Sequence, residues 1–215
     1  MTLFVDKTVA QFLDELASKE PVPGGGSASA LGAALGAALV SMVCQLTIGK
    51  KGYEAAESEL RRVLARSEML RREVTDLLQA DTEVYAAVMA AYRLPRKNEE
   101  HKAARHAALQ AALKDAAEVP HKLAERSAEI LALALPAAQL GNPWAVSDAA
   151  AGALLAEACI HAALLNVHVN LASIADADFA AQARARIAVL TAGKAELKDQ
   201  VLALVHAKIA APTGS

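Results

Sequence analysis

The sequence predicts an all-α protein, a single up-and-down helical bundle with long helices, on three observations. Apolar residues recur at threes and fours along almost the whole chain, and no strand-like alternation of useful length interrupts them. Alanine supplies an unusual part of the 54% hydrophobic share and aromatics only 3%, so small side chains of high helix propensity are expected to pack closely. Turn and breaker signals fall between long periodic stretches, the pattern of a bundle with short connections. The 215 residues are expected to form one domain, 1–215, with no internal repeat.

In chain order, Thr8 is placed to cap a short amphipathic helix whose Val9, Phe12, Leu13 and Leu16 form one face. "EPVPGGGS" breaks it, and Ser27 is the expected N-cap of an Ala-rich helix reaching about Ile48. This segment has no charge from Ser27 to Gly49 and is long enough for a bilayer, but Ala, Gly and Ser dominate where a spanning helix carries Leu, Ile, Phe and Val. It reads instead as a central helix, with Gly32 and Gly36 permitting close backbone approach. "GKKGY" is a turn. Leu60, Val63, Leu70, Val74, Leu77, Val84 and Val88 mark a long helix from Glu54 to Arg93, stopped by Pro95. Another pattern starts near Glu99, is expected to kink or split at Pro120, and continues to about Ala134. "LPAAQLGNPW" reads as a linker. Two further helices are expected, Ala145 to about Ile174 and Asp178 to about Ala210.

A net charge of −2 with interleaved signs gives no reason to expect nucleic acid. Cys44 and Cys159 sit in apolar helical patterns without disulfide or metal spacing, which suits a reducing cytoplasm. Asp6, Lys7, Asp14 and Glu15 make Met1–Glu20 unlike a signal peptide.

"PGGGS" before a helix presents free backbone N–H groups to an anion, or else permits a tight helix crossing. It matches neither a P-loop nor a dinucleotide fingerprint. Lys50 and Lys51 sit where they neutralise helix C-terminal carbonyls or grip an anionic ligand, the former favoured by spacing. Asp81 lies inside an apolar stripe of Leu77, Leu78, Val84 and Tyr85, where a carboxylate costs several kcal/mol unless partnered. That marks either a site or a structural ion pair. Ser147 and Asp148 are first-turn residues or site residues. Asn166 and Asn170 share a helix face and serve recognition or interhelical bonding. His161 and His168 are about 10 Å apart along a helix, too far to chelate one ion, so no metal site is expected. No Gly-flanked nucleophilic serine is present.

Taken together, "PVPGGGSASALGAALGAALVSMVCQLTIGKKGYE", "DTEVYAAVMAAYRLP", Val119–Pro120, "GNPWAVSDAAAGALL" and "NVHVNL" resemble, in order, the cyclodeaminase domain of formiminotransferase-cyclodeaminase and its free-standing relatives, the methenyltetrahydrofolate cyclohydrolases. Tyr85 stands where relatives more often carry Phe, and Arg96 where Lys is common. The resemblance implies a dimerising helical bundle that binds a tetrahydrofolate derivative. It implies interconversion of 5,10-methenyl- and 10-formyltetrahydrofolate, or alternatively cyclodeamination of 5-formiminotetrahydrofolate with release of ammonia. With no formiminotransferase half in these residues, the stand-alone cyclohydrolase role is expected first. A third reading, of another class, is a non-catalytic folate-binding helical protein. No cofactor beyond the folate substrate, no membrane and no nucleic acid partner is expected.

The implied acid/base is Asp148, with Asp81 next. Pro23, Gly24, Gly25, Gly26, Ser27, Lys50, Lys51, Tyr85, Ser147, Asn166 and Asn170 are the candidate substrate-binding residues, the asparagines for the pterin edge and the glycine turn and lysines for the glutamate carboxylate or folate orientation.

Overall fold

The computed structural model of the chain describes residues 4–210, which hold seven α-helices, three short 3-10 turns and no strand. The helices are α1 (Val9–Leu16), α2 (Gly25–Gln45), α3 (Glu57–Arg93), α4 (Glu99–Leu140), α5 (Val146–Leu171), α6 (Ala177–Thr191) and α7 (Lys194–Ala210). Local chemistry sets several starts. Thr8 and Gln11 form a reciprocal capping box, Gln11 N–H donating to Thr8 Oγ1 at 3.2 Å and Thr8 N–H to Gln11 Oε1 at 2.9 Å. Asn98 caps α4 by accepting from His101 N–H at 2.8 Å.

Helices α2 to α5 form an up-down-up-down square. Ser27 meets Leu78 and Asp81 while Ser41 meets Ser67, so α2 and α3 run antiparallel. Arg66 and Arg126 bind Glu129 and Glu73 across the antiparallel α3–α4 pair. Gly25 lies beside Asn166, and Gly36 beside Gly152 and Ala156, closing the square between antiparallel α2 and α5. Their backbones approach closely because neither glycine has a Cβ: one built on Gly36 would stand 3.1 Å from the Gly152 carbonyl, and one on Gly32 2.7 Å from Cys159 Sγ. The small-residue stripe therefore does what its composition predicts. One core joins all four helices with α7, which is tied on by Lys208 Nζ donating to Ala138 O and Gln139 O.

Several boundaries differ from the sequence expectation. The cap of α2 is Gly24, not Ser27, which falls in the first turn with its side chain turned inward. In α1, Phe12 is buried against Phe4 but Val9 and Leu13 are exposed, because the helix lies on the surface and buries a narrow edge. Helix α4 does not split at Pro120, and it runs through Pro136 to Leu140, so "LPAAQL" is helix rather than linker. Packing along its length outweighs the lost backbone bonds, one of which is replaced by a side chain described below. The last expected helix is two, α6 and α7, broken where Gly193 takes a left-handed φ of 71°.

Candidate functional site

The N-terminus of α2 and the middle of α3 build the site together. Gly24 has no side chain with which to cap α2, so the first-turn N–H groups lack a local acceptor. Asp81, projecting from α3, supplies one from across the bundle. Ser27 Oγ donates to Asp81 Oδ2 at 3.0 Å, and the Ser27 backbone N–H also faces the carboxylate. The approach is so close that a Cβ on Gly26 would lie 2.0 Å from Asp81 Oδ1. Glycine at position 26 is thus required by space. Desolvation raises the Asp81 pKa above the ordinary aspartate value, and the two bonds from Ser27 pull against that rise without cancelling it.

Asp81 opens onto a cleft of about 420 Å³ between the glycine turn, α3, α4 and α5. Pro21, Val22 and Gly24–Gly26 form one wall; Val84, Tyr85, Val88, Met89 and Tyr92 continue the Asp81 face of α3; Leu113 and Ala116 come from α4; Asn166, Val169 and Asn170 come from α5, with Ser173 just beyond it. The lining is mostly apolar, with a carboxyl, two amides, two phenols and the Ser173 hydroxyl as its polar side chains, the usual make-up of a small-molecule site.

The amides have defined orientations. Asn166 Nδ2 donates to Ala162 O at 3.1 Å, and Asn170 Nδ2 to Ala116 O at 2.8 Å and Asn166 O at 3.0 Å. No donor among the described residues reaches either Oδ1, which leaves both oxygens free to accept.

Of the sequence candidates, Gly24, Gly25, Gly26, Asp81, Tyr85, Asn166 and Asn170 converge on this cleft. Ser27 is fully buried and acts on Asp81 rather than facing the cavity. Pro23 is buried behind the turn, with Pro21 and Val22 on the cleft wall instead. Asp148, Ser147, Lys50 and Lys51 lie elsewhere. Asp148 is in the first turn of α5, eighteen residues or about 27 Å of helix from Asn166. Asn142 bonds to Thr47 and Leu46, which brings this end of α5 to the end of α2 that leads into Lys50 and Lys51. The candidates therefore form two groups at opposite ends of the bundle.

Tyr92, Val88 and Met89 were missed by the sequence reading, although extending the helical period from Asp81 through Tyr85 reaches them. Leu113 and Ala116 carry no comparable signal, because they join the cleft only through the packing of α4. Among the described residues, no group of three or more His, Cys, Asp or Glu side chains gathers to hold a metal ion.

Comparison with known proteins extends over most of the chain. The family model described as formiminotransferase-cyclodeaminase matches residues 8–189. A methenyltetrahydrofolate cyclohydrolase of Methylorubrum extorquens is 44% identical over 204 residues, covering 95% of this chain and 98% of that protein. A formimidoyltransferase-cyclodeaminase of Rattus norvegicus is 36% identical over 86% of this chain, which spans only 34% of that longer protein. The crystal structure of a formiminotetrahydrofolate cyclodeaminase from Thermotoga maritima superposes with a TM-score of 0.85 at 29% identity, covering 95% of this chain and 98% of that one.

Proposed function

The chain belongs to the formiminotransferase-cyclodeaminase family, and from that membership we propose that it is a folate one-carbon enzyme, a methenyltetrahydrofolate cyclohydrolase. The near full-length 44% identity with a protein of that name supports this reaction first. Cyclodeamination of formiminotetrahydrofolate is the second reading, favoured by the rat relative and the Thermotoga maritima structure.

The observation that carries the proposal is the Asp81 carboxyl, held by Ser27 at the edge of a largely apolar cleft and raised in pKa by desolvation. The methenyl bridge is a resonance-stabilised cation, which a carboxylate beside it stabilises. Asp81 takes a proton from water as the oxygen bonds to the bridging carbon. It returns that proton to N5 as the carbon–N5 bond breaks. The hydroxyl proton then leaves to solvent, giving 10-formyltetrahydrofolate with one proton released. General base catalysis of this kind contributes roughly 10²–10⁴-fold. In the alternative reaction the protonated carboxyl donates to ammonia as it departs. Asn166, Asn170 and Tyr85 hold the pterin, and the glycine turn orients it. No cofactor beyond the folate enters this chemistry.

We assign the second group, Asp148, Ser147, Lys50 and Lys51, to a cleft through a homodimer. Leu35, Met42 and Leu46 are exposed on one uncharged face of α2, with half-buried Leu39 between them, and Leu154, Leu165 and Val169 are exposed on α5. A second copy covers this face. With α2 packed across a two-fold axis against its antiparallel counterpart, the Lys50–Asp148 end of one protomer comes to the Gly24–Asp81 end of the other. The lysines then meet the glutamate carboxylate of the substrate.

We place the protein in the cytoplasm, apart from membrane and nucleic acid. Helix α2 and the Pro143–Leu171 segment are each long and apolar enough to cross a bilayer by length and composition, but they pack on each other through Gly36 and Gly152, and bury inner faces in the core. After lysis and high-speed centrifugation the protein is expected in the supernatant; recovery in the membrane pellet alone would reverse that placement. The reaction is tested by adding purified protein to 5,10-methenyltetrahydrofolate and following its near-ultraviolet absorbance. Bleaching faster than buffer supports the cyclohydrolase. Appearance of that absorbance from formiminotetrahydrofolate, without bleaching, supports the cyclodeaminase, and folate binding with neither change supports a non-catalytic binder.

A further inference from the structure

Pro120 leaves a backbone acceptor without its helical donor in the wall of the cleft. Proline has no N–H, so the carbonyl four residues earlier, Ala116 O, loses its partner within α4. Ala116 itself lines the cleft. The carbonyl is satisfied instead from another helix, by Asn170 Nδ2 at 2.8 Å, and the second amide hydrogen of Asn170 goes to Asn166 O at 3.0 Å. Both partners are carbonyl oxygens and can only accept, so the NH₂ group must face them and the amide cannot flip. Its Oδ1 is then the polar atom left for the cavity. By contrast, Pro136 frees the carbonyl of Ala132, which is exposed and needs no side-chain partner. The two prolines in one helix therefore have different consequences, and only Pro120 is tied to the site.

We propose that Pro120 is a positioning residue, using the freed Ala116 carbonyl to lock Asn170 with Oδ1 as a fixed acceptor for the N–H donor edge of a reduced pterin. The proposal rests on the folate reading for the identity of the ligand, and on the hydrogen-bond geometry for the coupling. It joins two sequence motifs on different helices, Val119–Pro120 and Asn166–Leu171, through one bond. Pro120 makes no contact with substrate in this account. Asn170 carries its effect.

A four-protein comparison tests it: wild type, Pro120→Ala, Asn170→Ala, and the double variant. Thermal unfolding is read alongside steady-state kinetics and calorimetric binding of 5-formyltetrahydrofolate, a stable reduced folate. Asn170→Ala strands the Ala116 carbonyl and is expected to lower Tm. Adding Pro120→Ala gives that carbonyl a helical N–H again, so the double variant regains most of the loss. Recognition does not follow stability. Both variants lacking Asn170 are expected to bind folate more weakly and to raise KM by about 2–10-fold, the worth of one ordinary hydrogen bond, with kcat near wild type. Pro120→Ala alone stays at least as stable as wild type yet raises KM, because its amide is no longer held by an otherwise unpartnered carbonyl.

Wild-type KM and affinity in Asn170→Ala overturn the recognition claim. Wild-type KM in Pro120→Ala overturns the positioning claim, as does strict additivity of the two substitutions in Tm. If the wild-type protein neither binds nor converts folate, the functional reading falls and takes the ligand assignment with it, whereas the Tm cycle still decides whether Pro120 and Asn170 are coupled.

Discussion

Gly26 and Asp81 occupy the same small volume: a Cβ on Gly26 would stand 2.0 Å from Asp81 Oδ1 and 2.5 Å from its Cγ. Two helices distant in sequence thus meet with a carboxyl resting where a side chain would begin. Gly26→Ala forces that carboxyl away from Ser27. The expected result is a fall of about 10²-fold or more in kcat/KM. Alanine is favoured over glycine in a helix by about 1 kcal/mol, which offsets part of the cost of the displacement, so Tm should move far less than activity. Kinetics and a melting curve on one preparation check both halves.

Asp81→Asn keeps the shape and removes the charge. Turnover should fall by roughly 10²–10⁴-fold, and any acid limb in the pH profile of kcat/KM that lies above the ordinary aspartate range should vanish. Stability moves the other way. The folded pKa is raised, chiefly by desolvation, so the native state holds the proton more tightly than the unfolded chain. The stability this group adds is complete below the ordinary aspartate pKa and is lost as pH rises through the raised value. Relative to wild type, the Asn variant should therefore gain Tm between acid and neutral pH. An unchanged difference across that range would show that Asp81 does not titrate as described.

The α2–α5 crossing depends on missing side chains. Gly36→Ala puts a Cβ 3.1 Å from the Gly152 carbonyl, and backbone cannot swing aside as a side chain can. A loss of about 1–3 kcal/mol from overpacking is expected, reduced by the roughly 1 kcal/mol gain in helix propensity. Chemical denaturation measures the net change. A more stable variant would mean that the helices part without cost.

If the two ends of the bundle meet across a two-fold, defects at opposite ends should complement. Asp81→Asn and Lys51→Ala, each weak alone, should recover roughly a quarter of wild-type activity when unfolded and refolded together, since half the dimers are mixed and one of their two sites is intact. Leu35→Glu, on the exposed face of α2, should yield monomers by light scattering. Mixing that restores nothing while dimers form would confine the site to one chain.

The sequence made the helices legible wherever a single segment decides them. The 3.6-residue period placed α3 from Glu57 to Arg93 within a few residues, and Thr8 announced the start of α1. It misjudged places where a distant residue supplies what the local segment lacks. Ser27 looked like a cap because the group that performs capping, Asp81, lies 54 positions away. Pro120 looked like a break because its compensating donor, Asn170, is on another helix.

Composition and periodicity alone thus determined an all-α bundle with a close, glycine-lined crossing, since helix formation and burial pattern are short-range consequences of residue type. The motifs they carry also marked Asp81 and the asparagine pair as out of place on apolar faces. Tertiary structure alone decided that Asp81, the glycine turn and the asparagines share one cleft while Asp148 and the lysines stand at the opposite end of the chain's bundle. The reason is that the antiparallel packing of α2 with α5 pairs the start of one helix with the end of the other, and no sequence spacing records which ends are brought together.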